Sequence, residues 1–211
     1  MSNKKIIHRK IPGNINLPDT IHPVLRRIYA SRNIKTSKDL DYSLSSLIPF
    51  DKLSGINDAV NLLRGMIEEN RRILIVADFD ADGATSCALA IRGLTTMGAK
   101  DVIYVVPNRF EHGYGLSPEI VNVALEYDPD LIVTVDNGIS SIQGVEYARK
   151  NGVKVLITDH HLPSDKLPNA DVIINPQLLG DKFPSKNLAG VGVIFYILLA
   201  LRAKLKEENW F

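Results

Sequence analysis

Residues 73–83 read Ile73-Leu74-Ile75-Val76-Ala77-Asp78-Phe79-Asp80-Ala81-Asp82-Gly83, an apolar run that stops at three aspartates spaced two apart. From Arg72 to Ala77 the run is rich in Ile and Val without alternation, the pattern of a strand buried on both faces of a sheet. The aspartates therefore stand at its carboxyl end. Beyond Gly83, residues Ala84, Cys87, Ala88, Ala90, Ile91 and Leu94 fall on one face of a helix. Strand, acidic turn and helix make half of a βαβ unit.

The same grammar repeats downstream. Further strands are expected at Asp101 to Val106, Leu131 to Val135, Lys154 to Thr158 and Val172 to Asn175. Helices are expected at Ala84 to Met97, Pro118 to Glu126 and Ser141 to Asn151, with Gly98 and Gly152 where left-handed helix ends belong. Short Ile/Val-rich strands alternating with helices of about three turns predict an α/β, doubly wound, mainly parallel sheet with helices on both faces. Upstream, His22 to Arg32 and Ser37 to Leu44 read as small N-terminal helices, and Pro49 to Ile56 as a connector. Asn57 is placed to cap a helix running to about Asn70. The expected organisation is an arm with small helices over 1–56 and the α/β domain over 57–211.

Leu188 to Leu205 is apolar almost all the way round, so something must bury it. With the sequence ending at Phe211, the domain reads as incomplete at its C-terminal end, or as packing a partner chain or a missing C-terminal portion on 188–211.

Composition excludes little. At 211 residues and 45% hydrophobic content the chain can bury a sizeable core, and a formal net charge of +1 selects no class of partner. There is neither a membrane-spanning apolar run nor a secretory h-region, which makes the cytoplasm the default location. The lone cysteine, Cys87, falls inside an expected helix and reads as a small buried residue, so no disulfide framework or thiolate metal site is expected.

In an open α/β sheet, ligands collect outside the carboxyl ends of the strands. Asp78, Asp80 and Asp82 follow the first strand, Asp136 and Asn137 the third, and Asp159, His160 and His161 the fourth. Carboxylate oxygens with a minority of imidazole nitrogens suit Mn²⁺ or Mg²⁺ better than structural zinc. Enough ligands are present for two divalent cations, and a pair about 4 Å apart serves hydrolysis of phosphodiesters or phosphoanhydrides. Asp-x-Asp-x-Asp-Gly also opens an EF-hand loop, but the twelfth position is Leu89 and a strand precedes it. Helix capping would explain Asp82 alone. No P-loop, dinucleotide fingerprint or nucleophile elbow is present.

Asp159-His160-His161 is similar to the triplet that names the DHH phosphoesterase superfamily. Asp78-Phe79-Asp80-Ala81-Asp82-Gly83 and Val135-Asp136-Asn137-Gly138 resemble its other motifs. Val106 to Glu111, Gly113 to Pro118, Thr134 to Ser141, Thr158 to Pro163 and Leu188 to Val193 narrow the resemblance to the RecJ family of bacterial exonucleases, over about Ile21 to Phe211. It implies Asp80, Asp82, Asp136, His160 and His161 as ligands of the Mn²⁺ or Mg²⁺ pair, with Asp78 as a further member, and Asp136 and His161 as catalytic. It also implies that Arg109 holds a phosphate of single-stranded DNA and that Asn108 orients it, while His112 is incidental. The implied activity is 5′ to 3′ degradation of single-stranded DNA in repair and recombination, with this sequence as the N-terminal part. Two alternatives stand beside it: a catalytically silent metal-binding or interaction module, and a sister phosphoesterase acting on pyrophosphate, cyclic dinucleotides or short oligonucleotides.

Overall fold

The structure, a computed structural model, describes residues 7, 10, 15–108 and 115–211. The chain divides into two compact units, Met1–Ile48 and Pro49–Phe211. The second unit opens on a single 3₁₀ turn, Phe50–Lys52, which packs on the helices of that unit and is followed by the buried Leu53.

In the first unit, helix α1 (Pro23–Ser31) starts on a proline, and the His22 Nδ1 accepts from Val24 N–H. The second small helix expected over Ser37 to Leu44 resolves into two single 3₁₀ turns, Ser37–Leu40 and Leu44–Ser46. Asp41 explains the break: its carboxylate accepts from Ser43 N–H and Ser46 Oγ, local bonds that compete with a continuous helix.

The second unit holds helix α2 (Ile56–Glu68), strand β1 (Ile73–Ala77), α3 (Ala81–Thr96), β2 (Val102–Val105), α4 (Pro118–Leu125), β3 (Leu131–Val135), α5 (Ile142–Lys150), β4 (Lys154–Thr158), β5 (Val172–Ile174) and α6 (Gly190–Glu207). Residue 57 does not cap α2; the position before the helix is taken by Gly55, whose φ of 77° a side chain would strain. The five strands form one sheet in the order β2-β1-β3-β4-β5, every pair parallel. One face carries Leu74, Val76, Ile132, Val155 and Ile157 against Ile120, Val121 and Ala124 of α4 and Val145 and Ala148 of α5. The other is covered by α3 and α6, with α2 beside α6.

Helix α6 is buried within the chain. Val193, Ile194, Tyr196, Ile197, Leu198, Leu201 and Leu205 are all buried against α2, α3 and the sheet. The all-round apolar character of α6 thus reflects a helix wedged between two others and a sheet, while Trp210 and Phe211 beyond it stay exposed. Among the described residues no helix is long and apolar enough to cross a membrane.

The strand order decides where a ligand can sit. From β1 the chain moves outward to β2, then returns past β1 to β3. The helices that follow β1 and β3 leave on opposite faces, so a crevice opens between the carboxyl ends of these neighbours.

Candidate metal centre

Asp78 directly follows β1 and Asp136 directly follows β3, one on each side of that crevice. Asp78 N–H donates to Val135 O (3.4 Å), and the Asp78 carboxylate accepts from Phe79 N–H (2.7 Å). Asp80, not Asp82, caps α3: its Oδ1 accepts from Asp82 and Gly83 N–H, each at 3.0 Å. The turn is too tight for a side chain at Gly83, where a Cβ would lie 2.3 Å from Asp78 O.

Asp136 is 2% exposed and sits at φ 63°, a left-handed conformation that carries a cost of order 1 kcal/mol or more in a non-glycine residue. Neighbouring bonds hold it there. Its N–H donates to Thr158 O (3.0 Å), and buried Asn137 donates through Nδ2 to Val76 O (3.0 Å) and Val135 O (2.9 Å), tying β1 to β3. Thr134 Oγ closes the turn on Asn137 O (2.7 Å).

The third contributor follows β4. Asp159, 1% exposed, is a hub: Oδ2 accepts from Ile139 N–H (2.9 Å), and Oδ1 from His160 N–H (2.7 Å), His161 N–H (3.1 Å) and His161 Nδ1 (2.7 Å). A carboxylate only accepts, so Nδ1 carries the proton and Nε2 keeps the lone pair, the arrangement of a metal-ligating histidine. His160 Nε2 lies 3.0 Å from Asp136 Oδ1 and 3.5 Å from Asp82 Oδ2.

Among the described residues, two groups of potential ligand atoms emerge, each within 4.8 Å: Asp136, His160 and His161, and Asp78, Asp80 and Asp136. Asp136 belongs to both. Asp82 stands outside them; its Oδ2 and Oδ1 accept from Gly190 N–H (2.7 Å) and Val191 N–H (2.8 Å) at the start of α6. Asn108 lies on the segment that leaves β2 toward the same rim, whereas Arg109 and His112 are outside the described residues.

Electrostatics fit a cation. Burial, then repulsion from Asp82 and Asp80, pushes the Asp136 carboxyl up to about 7. Burial works against a charged His161, but the hydrogen bond and charge of Asp159 outweigh it and raise the imidazole above its ordinary value. Oxygen-rich groups with imidazole and no thiolate, around a carboxyl whose ionisation is opposed first by burial and then by its like-charged neighbours, are a donor set for hard or borderline divalent ions.

Two contributors have roles that the sequence does not single out. In the sequence Asp159 is one more member of the acidic rim; its position directly before two histidines is the signal for an orienting carboxylate. Gly190, in Gly190-Val191-Gly192, is needed for the close approach of α6 to Asp136, and its small size is legible only once α6 is known to start there.

Residues 72–210 match the model of the DHH family, N-terminal domain. The chain is 50% identical over 208 residues to the single-stranded-DNA-specific exonuclease RecJ of Salmonella typhimurium, covering 99% of this chain and 36% of the relative. For the Escherichia coli protein of the same description the values are 51% over 203 residues, 96% and 35%. The chain thus spans about a third of the length of the curated relatives it matches. Among solved structures, it is similar to exonuclease RecJ bound to manganese, with 38% identity, TM-score 0.66 and coverage of 72% of this chain and 38% of that one. RecJ in complex with Mn²⁺ from Thermus thermophilus gives 35%, 0.69, 84% and 24%.

Proposed function

Because this chain belongs to the DHH family over residues 72–210, we propose that it forms the catalytic portion of a metal-dependent 5′ to 3′ exonuclease on single-stranded DNA, serving repair and recombination in the cytoplasm. The observation that carries the reading is the sharing of buried Asp136 between two ligand groups, one completed by His160 and His161 and the other by Asp78 and Asp80. These residues would hold two Mn²⁺ or Mg²⁺ ions, with Asp82 as a further ligand beside its bonds to α6. When bound, such a pair would supply activation of water and stabilisation of charge on the phosphoryl group.

The chain's own residues supply the rest. Asp159 fixes the His161 ring and tautomer, and Asn137 holds the ends of β1 and β3 at a constant separation. His161, its Nδ1–H held by Asp159 and its side chain 47% accessible, would offer Nε2 to an ion at the mouth of the site. Asn108 and Arg109 are proposed to orient and grip a phosphate of the strand, a task suited to the guanidinium fork. The sister reading, a phosphoesterase of pyrophosphate or cyclic dinucleotides, is weakened by 50% identity to a single-strand exonuclease over nearly the whole chain.

Calorimetric titration with Mn²⁺, followed by addition of 5′-phosphorylated single-stranded DNA, tests the proposal, with Asp136→Ala as control. Uptake of two ions and release of nucleotides, both lost in the variant, is the expected result. Equal uptake by wild type and variant would overturn the ligand assignment, and metal uptake without nucleotide release would overturn the proposed activity of this portion.

A further inference from the structure

The two histidines are held on their entry side by Asp159, but a ligand pair needs its exit fixed as well. That side is met by Asn175, directly after β5 and wholly buried. Its Nδ2 donates to the main-chain carbonyl of His161 (2.9 Å), and its Oδ1 accepts from Gln177 N–H (2.8 Å). One partner is a carbonyl and the other an N–H, so the orientation of the amide is unambiguous.

The placement matters because sheet pairing ends just short of it. The β4–β5 ladder stops at Thr158↔Ile174, and the last main-chain bond runs from Asp159 N–H to Ile174 O (3.0 Å). His161 is two residues further on, and the Asn175 bond takes over where the ladder stops. The segment after Asn175 is braced in turn, with Lys186 Nζ donating to Pro176 O (2.6 Å) and Asp181 O (2.9 Å). It reaches Gly190 and Val191, which are held by Asp82.

We propose that Asn175 is a positioning residue for His160 and His161, setting the direction of both imidazoles toward Asp136 through the His161 carbonyl. The inference rests on the metal reading above. Ligands need placement within about 0.5 Å, and loss of an outer partner typically weakens metal binding about 10- to 100-fold.

The test is Mn²⁺ titration of the whole chain as wild type, Asn175→Asp, Asn175→Ala and His160→Ala, with metal-free thermal unfolding alongside. Asn175→Asp keeps an acceptor for Gln177 N–H and removes only the donor to His161 O; its added charge by itself would favour a cation. The expected result is about tenfold weaker binding of the ion that His160→Ala abolishes, with the other ion and the fold retained. Asn175→Asp binding both ions as wild type does, or weakening both equally, would overturn the inference. So would a loss confined to Asn175→Ala and accompanied by unfolding, which marks a merely structural residue. Wild-type chain that takes up no manganese would instead overturn the metal reading, and this inference with it.

Discussion

Gly190 brings the first turn of α6 so close to Asp136 that a Cβ on it would lie 2.6 Å from the carboxylate Oδ1. The shared carboxylate of the centre is thus walled by main chain from the last helix, and glycine is the residue that permits the approach. Gly190→Ala must displace either α6 or Asp136. The expected outcome is a stability loss of about 1–3 kcal/mol by urea denaturation and weaker Mn²⁺ binding by calorimetry.

Asp82 accepts from the first two N–H groups of α6. Asp82→Ala leaves both without that acceptor and removes a favourable charge at a helix start, costing about 1–2 kcal/mol. Asp82→Asn, with one acceptor oxygen left, should recover part of that stability. If Asp82 is also a metal ligand, both variants will lose Mn²⁺ affinity, and comparing unfolding with titration separates the two roles.

Asp136 gives a pH dependence of defined sign. Its carboxyl lies at about 7 in the metal-free fold against an ordinary value near 3.8, so between these values the folded state holds a proton that the unfolded state has lost. Stability of the metal-free chain must therefore fall as pH rises from about 4 to about 7, by an amount on the order of a few kcal/mol. Asp136→Asn should flatten this slope in urea titrations at several pH values while abolishing Mn²⁺ uptake. For the wild type below pH about 7, metal binding should release a proton, read by calorimetry in buffers of different ionisation enthalpy.

Asp159→Asn removes the charge that lifts the His161 imidazole. Its pKa should drop in an NMR titration of the ring protons. Because the raised value stabilises the fold below the ordinary histidine range and is lost as pH rises through it, the variant should also lose stability mostly on the acid side. Loss of a buried hub that accepts from Ile139, His160 and His161 should cost about 1–3 kcal/mol or more.

Much of this was legible in residues 72–83 and their echoes. Continuous Ile/Val runs at β1 and β3 announced strands buried on both faces, and every expected strand is present with ends shifted by at most a residue or two. The acidic and histidine positions were legible because polar residues directly after buried strands can only emerge at one rim. Asp82 was less legible. Sequence spacing makes it the third of three equivalent aspartates, whereas the turn puts Asp80 on the start of α3 and leaves Asp82 to face α6, more than a hundred residues away. Ser37 to Leu44 failed for a local reason, since Asp41 and the serines compete with helical bonding.

The sequence by itself determined the parallel α/β sheet, the rim where its chemistry collects and the residue types delivered there, because strand burial and turn chemistry are encoded in neighbouring residues. Only the tertiary structure decided which carboxylate is shared, which orients and which anchors a helix. Those roles depend on distances between β1, β3, β4 and α6, and such distances are set by the order of strands in the sheet and the packing of α6 on α2 and α3.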